Sequence, residues 1–305
     1  MVLSIGEILV DIFKEKENET VFPGGAPFNV ACNIAHFNGD VSFYGAVGKD
    51  EYGFFLKDFS EKVLNRAFID VIKDRNTTQA VVTLVDGERS FKFIRDNGAD
   101  YRLDVSDLSR LDLANAKIVH IGSLMLSYKE GRDFYYASIK HIRAYSKALI
   151  SFDVNYRDDI FSSENEAKKI FIDALKEADI IKFTEEELEL LTGIKDIKQS
   201  LKQLLSDTQI AVVTLGKRGS VFYSKDKYIE VPSYPLVPVD TTGAGDAFYS
   251  YFLFALDSGL DLNSDKHIKE ALKRANVTGG LATQKKGAIN VVPSLSEIED
   301  FIKQH

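Results

Sequence analysis

A single cysteine, Cys32, is all the thiol chemistry in 305 residues. No internal disulfide can form, which suits a reducing cytoplasm, the compartment expected for this chain. Long apolar runs are missing too. The longest, Ala247 to Leu256, falls well short of the roughly 20 residues a membrane span needs. The opening Met1-Val2-Leu3-Ser4-Ile5-Gly6-Glu7 has no basic region ahead of an apolar run, so no signal peptide is expected. Positive charge is in deficit. Lys+Arg number 38 against 46 Asp+Glu, a formal charge of −8. Nucleic acid and anionic membrane both need basic surface, so neither is an expected partner. The five histidines (His36, His120, His141, His267, His305) show no metal-ligand spacing, among themselves or with Cys32. No G-x-x-x-x-G-K-[ST] stretch occurs, which excludes a P-loop. Repeats, low-complexity tracts and domain linkers are absent as well.

What is there is an ordinary globular composition, 45% hydrophobic and 28% charged. The length fits one α/β domain over 1–305. Apolar strand patterns at Val2–Val10, Val41–Val47, Lys117–Ile121, Ala148–Phe152, Ile180–Phe183 and Ile210–Thr214 alternate with helical ones. The helices fall near Pro27–Phe37, Tyr52–Leu64, Asp133–Ala144, Glu164–Glu177 and Glu185–Leu191. This rhythm predicts a doubly wound, mainly parallel sheet with helices on both faces. Gln79–Val85 and Arg89–Arg95, joined by Asp86-Gly87-Glu88, break it with a hairpin signal. A small β lid is expected there, built from about 12–20, 67–72 and 79–96, with Phe91 and Phe93 on one face. Exposed lid strands can pair across a two-fold, so the lid is the candidate homodimer interface. Further on, Gly219–Tyr223 and Tyr228–Val231 predict a second hairpin. Ala244–Leu256 predicts a buried helix, Lys266–Leu281 another, and Ser294 with Glu297 opens a last one.

The strongest chemical signal is Asp240-Thr241-Thr242-Gly243-Ala244-Gly245-Asp246, running straight into the buried helix. Glycines flanking a small residue let backbone N–H groups approach a ligand, and the helix start adds partial positive charge. That is an anion site suited to a phosphoryl group in transfer. Asp246, in the first turn beside it, can accept the proton of an attacking hydroxyl. A Gly-x-Gly-Asp quartet alone would serve equally as a tight turn with Asp246 as helix cap. The full heptad before an apolar helix is far more specific. Asp246-Ala247-Phe248 follows the Gly-x-Gly, so the third glycine of a dinucleotide fingerprint is missing, which argues against a nicotinamide-dependent oxidoreductase.

With this heptad the chain resembles the ribokinase-like (PfkB-type) carbohydrate kinases. Their N-terminal signature is matched by Gly24-Gly25-Ala26-Pro27-Phe28-Asn29-Val30-Ala31. The resemblance runs from Leu3 to about Pro293. It implies ATP-dependent phosphorylation of a free sugar hydroxyl, with Asp246 as base and Gly243, Ala244 and Gly245 as anion hole. A binding protein that had lost catalysis would be expected to lack the base or the anion hole, and both are present. The resemblance places the sugar on Asp11, Gly24, Gly25 and Asn29, and near Arg95 and Asp100. The nucleotide is implied at Asn155 and Arg157 of the Asp153-Val154-Asn155-Tyr156-Arg157 stretch. Lys182, the loop Thr214-Leu215-Gly216-Lys217-Arg218-Gly219 and Asn276 complete that side. Magnesium is implied through water at Glu187, where Thr184 replaces the asparagine of the usual N-x-x-E and is suited to cap the next helix. Asp240 and Thr242, with a carbonyl from Gly287, are the implied monovalent-cation ligands, although Val291 lacks the hydroxyl of potassium-activated relatives.

Gly6-Glu7-Ile8-Leu9-Val10-Asp11 and Glu88–Arg95 followed by Ala99-Asp100 look most like fructokinases. The alternative is a 2-keto-3-deoxygluconate kinase or another sugar or nucleoside kinase of the family. Arg95 and Arg157 would suit an acidic sugar. Phe93 stands where kinases of the acidic sugar carry a lid tyrosine, which favours a neutral ketohexose.

Overall fold

Successive side chains of Val2–Ile5 go to opposite cores, as a strand covered on both faces requires: Val2 to one, Leu3 and Ile5 to the other. The computed structural model describes residues 1–15, 18–85, 88–289 and 291–305, and side chains outside 15–18 and 82–91. From the N-terminus run β1 (Val2–Ile5), β2 (Leu9–Glu15), β3 (Asn18–Gly24), α1 (Ala26–His36), β4 (Val41–Gly48), α2 (Glu51–Val63) and β5 (Ala67–Ile72). Next come β6 (Gln79–Val85), β7 (Glu88–Ile94), β8 (Ile118–Ile121), α3 (Lys129–Tyr145), β9 (Leu149–Asp153), α4 (Glu164–Leu175) and β10 (Ile180–Thr184). The rest is α5 (Glu185–Thr192), α6 (Ile197–Leu204), β11 (Ile210–Thr214), β12 (Ser220–Ser224), β13 (Lys227–Val231), α7 (Ala244–Asp257), α8 (Asp265–Ala282) and α9 (Leu295–Gln304).

Nine strands form one sheet in the order β13-β12-β11-β10-β9-β8-β1-β4-β5, parallel from β11 to β5. β12 and β13 close one edge as the expected antiparallel hairpin. Phe134 of α3, Phe171 of α4 and Leu201 of α6 fill the core on one face. Phe28 of α1, Leu56 of α2, Phe252 of α7, Leu272 of α8 and Ile298 of α9 fill the other. The doubly wound fold is therefore present, with both faces of the sheet covered by helices.

A second, four-stranded sheet in the order β3-β2-β6-β7 makes the lid. Leu9, Ala80 and Phe93 on it pack against Leu124 and Ile160 of the main body. The Asp86-Gly87 turn and the Phe91 side chain lie outside the described residues.

Two strand expectations are corrected. Val2–Val10 is not one strand. The chain bends at Gly6, whose φ of 149° suits glycine, and β2 leaves the main sheet for the lid. Residues 67–72 do not join the lid. β5 pairs in parallel with β4, three residues after α2, as the closing strand of a β-α-β unit. Phe68 and Ile72 pack into one core and Ile69 and Val71 into the other, which only a strand of the covered sheet can satisfy.

Candidate active site

On the α7 side, strand residues near the carboxyl ends turn polar, and α7 brings matching groups. Ser151 Oγ shares hydrogen bonds with His120 Nδ1 at 3.0 Å and Tyr249 Oη at 2.6 Å. Burial pushes the His120 pKa down to about 3, so the imidazole is neutral. Next to them Lys182 Nζ donates to both oxygens of Asp153, at 2.9 Å each. Burial opposes the charge on Lys182, but Asp153 and Glu187 outweigh it and raise the lysine's pKa.

α7 starts at this edge. Gly243, its N-cap, has φ 73°, and a Cβ there would press on Ala288 Cβ at 2.6 Å. A Cβ on Gly245 would stand 3.3 Å from Lys182 Nζ, so the glycine keeps the helix start open toward the lysine. The helix beyond is buried from Ala247 to Leu253, which leaves the dipole of its first turn unscreened by water along its length. Asp246 sits in that first turn and accepts from Asn29 Nδ2 at 2.7 Å. One turn on, Asn33 Nδ2 donates to Ser250 Oγ at 3.2 Å. Two residues four apart on α1 thus match two residues four apart on α7, and the rungs fix one helix against the other.

The cleft between this helix start and the lid is lined by Asp246, Thr242, Asn29, Asp11, Arg157, Phe93 and Glu7, among others. Burial raises the Asp246 pKa to about 6, with Asn29, Lys182 and Arg157 opposing and Asp153 adding. Burial, with Asp246 and Asp240 adding and Arg157 opposing, raises Asp11 to about 7. Gly24 is needed beside Asp11, because a Cβ there would overlap the carboxylate. Asn29 Oδ1 is buried and has no partner in the protein, so half of this amide is left for a ligand. The arrangement puts the carboxyls of Asp11 and Glu7 and the unpartnered Asn29 oxygen beside Asp246 and the open first turn of α7. It can place a hydroxyl against a phosphoryl group.

The model of the pfkB family carbohydrate kinases matches residues 1–295. The chain belongs to that family. It is 34% identical to fructokinase of Vibrio alginolyticus over 305 aligned residues, covering 98% of each chain. A double-mutant fructokinase of Vibrio cholerae O395, solved with fructose, ADP and potassium, superposes with a TM-score of 0.89 at 33% identity, covering 98% of this chain and 97% of that one. The ATP-bound fructokinase of Xylella fastidiosa also gives 0.89, at 28% identity, covering 99% and 98%.

For this carbohydrate kinase the remaining expected residues fall in three places. At the end of β11 the Thr214 hydroxyl donates to Phe183 O at 3.3 Å, and the turn Gly216–Arg218 follows, with Gly216 and Gly219 at positive φ. Asn276 of α8 donates to Val231 O at 3.1 Å and holds the chain leaving β13. Asn155, at φ 41°, turns the chain after β9, and Arg157 Nη1 donates to Tyr156 O at 2.9 Å.

Glu187 is buried and forms a capping box with Thr184, and its oxygens accept from Thr184 N at 2.7 Å and Tyr156 N at 2.9 Å. Asp240 Oδ1 accepts from Thr242 N at 3.0 Å and Thr242 Oγ1 at 2.8 Å, and its Oδ2 accepts from Gly287 N at 3.2 Å.

Arg95 and Asp100 are brought together, but not into the cleft lining. Arg95 is 5% exposed, pairs with Asp100, and donates to Ser127 Oγ at 2.7 Å. Its guanidinium lies 5.4 Å from the Tyr101 ring centre and 5.2 Å from that of Tyr128. Thr78 Oγ1 also donates to Asp100. Sequence reasoning missed Glu7 as a cleft residue. Its signal was a charge between the apolar runs Val2–Ile5 and Ile8–Val10.

Proposed function

We propose that the chain phosphorylates free fructose with ATP in this cleft. Asp11, Asn29 and the Gly24-Gly25 turn hold the sugar hydroxyls. The attacking hydroxyl gives its proton to Asp246 Oδ as its oxygen bonds to the γ-phosphorus, and the bond to ADP breaks. The α7 amides from Gly243 to Gly245 and the Lys182 ammonium stabilise the charge spread over the transferring oxygens, and Arg157 meets the phosphates. Thr214, Gly216, Gly219 and Asn276 form the nucleoside side. Among the described residues no cluster of three or more acid, histidine or cysteine side chains is placed to hold a metal. Magnesium would come with the ATP phosphates and neutralise charge there, and Glu187, whose two oxygens already accept from Thr184 N and Tyr156 N, would meet it only through water. Asp240 and Thr242 frame the monovalent-cation position.

The observation that carries fructose over an acidic sugar is Arg95. Its Nη atoms are taken by Asp100 and Ser127, its face lies against two tyrosine rings, and although its buried Nε has no partner, the side chain is outside the cleft lining, away from a substrate carboxylate. Phe93, which lines the cleft, has no hydroxyl to offer either. Among the described residues no helix is long and apolar enough to cross a membrane. The cytoplasm is the compartment proposed, and lid-to-lid pairing the proposed dimer. ADP release with Mg·ATP and fructose, 2-keto-3-deoxygluconate, ribose, mannose or adenosine tests the substrate. Fructose should give the highest kcat/KM, and a preference for the acidic sugar would overturn the choice.

A further inference from the structure

Glu7 lines the cleft in the bend between β1 and β2, 1% exposed, yet phosphoryl transfer has no use for it. Its Oε2 is buried with no hydrogen-bond partner in the protein. Gly122, just past β8, makes room for that oxygen, since a Cβ there would overlap it. Asp100 and Asp246 face the carboxyl with negative charge and Arg95 with positive; Arg95 is paired with Asp100, and its remaining buried Nε makes no hydrogen bond to Glu7. Asp11 is the further acid of the same cleft. A buried carboxyl oxygen without a partner in the free protein is matched to something that enters.

We propose that Glu7 recognises a sugar hydroxyl as a neutral carboxylic acid, its O–H donating to the sugar. The inference rests on the sugar occupying the Asp11–Asp246 cleft. Asp11 and Asp246, once ionised, only accept hydrogen bonds, whereas a sugar hydroxyl is also an acceptor in need of a donor. Burial pushes the Glu7 pKa up to about 8, Asp100 and Asp246 adding, its own backbone amide and Arg95 opposing. At pH 7 Glu7 is therefore mostly protonated. At the same pH Asp246, held to about 6, is mostly ionised and Asp11, at about 7, is half so, which leaves Glu7 as the carboxyl of this cleft that keeps most of its proton.

The test uses the full chain with Glu7→Gln and Glu7→Ala, reading KM for fructose and for ATP from pH 7 to 9.5. Wild-type kcat/KM for fructose should fall roughly tenfold per pH unit above about 8, as the free enzyme loses the donor. Glu7→Gln keeps a donor that cannot ionise, so this fall should vanish. Glu7→Ala should raise fructose KM by about tenfold or more with ATP KM within about twofold, and Glu7→Gln should recover most of that loss. An alkaline fall unchanged in Glu7→Gln would overturn the proposal, as would fructose KM unaffected by Glu7→Ala. If Glu7→Ala does not fold, the Glu7→Gln pH profile decides alone. Fructose binding to the wild type, read by calorimetry, reports separately on the site itself.

Discussion

Replacing Asp246 by asparagine should slow the enzyme and stabilise the fold at the same time. The amide oxygen can still accept from Asn29, so the α1–α7 rung survives. What is lost is the proton acceptor, worth ~10²–10⁴-fold in kcat, or roughly 3–5 kcal/mol. The stability gain follows from the pKa. In the fold Asp246 holds its proton to about 6 instead of 3.8. Each pH unit is worth about 1.4 kcal/mol, so ionising it costs the native state up to about 3 kcal/mol. Asp246 is only part-buried at the cleft, which reduces this to ~1–2 kcal/mol. The sign is that of a raised carboxyl: nothing is lost below pH 3.8, and stability falls as pH rises through about 6. The Asp246→Asn variant has no such loss. Its melting temperature at pH 8 should exceed wild type by about 2–4 °C, with the gap closing toward pH 4. Coupled ADP release and thermal melts over pH 4–8 read both. Turnover within twofold of wild type, or a lower melting point at pH 8, would refute the reasoning.

Asp11→Ala should raise fructose KM about tenfold or more while ATP KM stays within about twofold, and equal increases in both would make Asp11 structural. Fructose should slow amide exchange in β6 and β7 as the lid closes over the sugar; no change counts against a moving lid. If the lid is instead a dimer interface, exchange there is already slow and speeds up on dilution. Phe93→Tyr should move kcat/KM from fructose toward 2-keto-3-deoxygluconate, from a wild-type ratio of at least about tenfold, which is ~1.4 kcal/mol. A ratio that does not move separates Phe93 from substrate choice.

Much of this was legible in the sequence because it is local. The heptad 240–246 places its glycines, helix start and base within one turn of each other. β8–β11 read as short apolar strands because both faces of the sheet are covered. What was not legible depends on distant partners. Residues 67–72 look like any short strand until β4 supplies their register. Arg95 looks available until Asp100, Tyr101 and Tyr128 enclose it. Glu187 is a metal candidate by motif, but its oxygens are found on the amides of Thr184 and Tyr156, and only the fold brings the second of those close. Glu7 was hidden because a strand reading of Val2–Val10 gives no reason for a bend at Gly6.

Identifying the phosphorylated product is the most direct test of the central claim. Incubated with Mg·ATP and fructose, the protein should yield one fructose phosphate per ADP, seen by phosphorus NMR and mass, with little ADP formed when fructose is left out. ADP release that does not depend on fructose, or that leaves inorganic phosphate in place of a sugar phosphate, would contradict it.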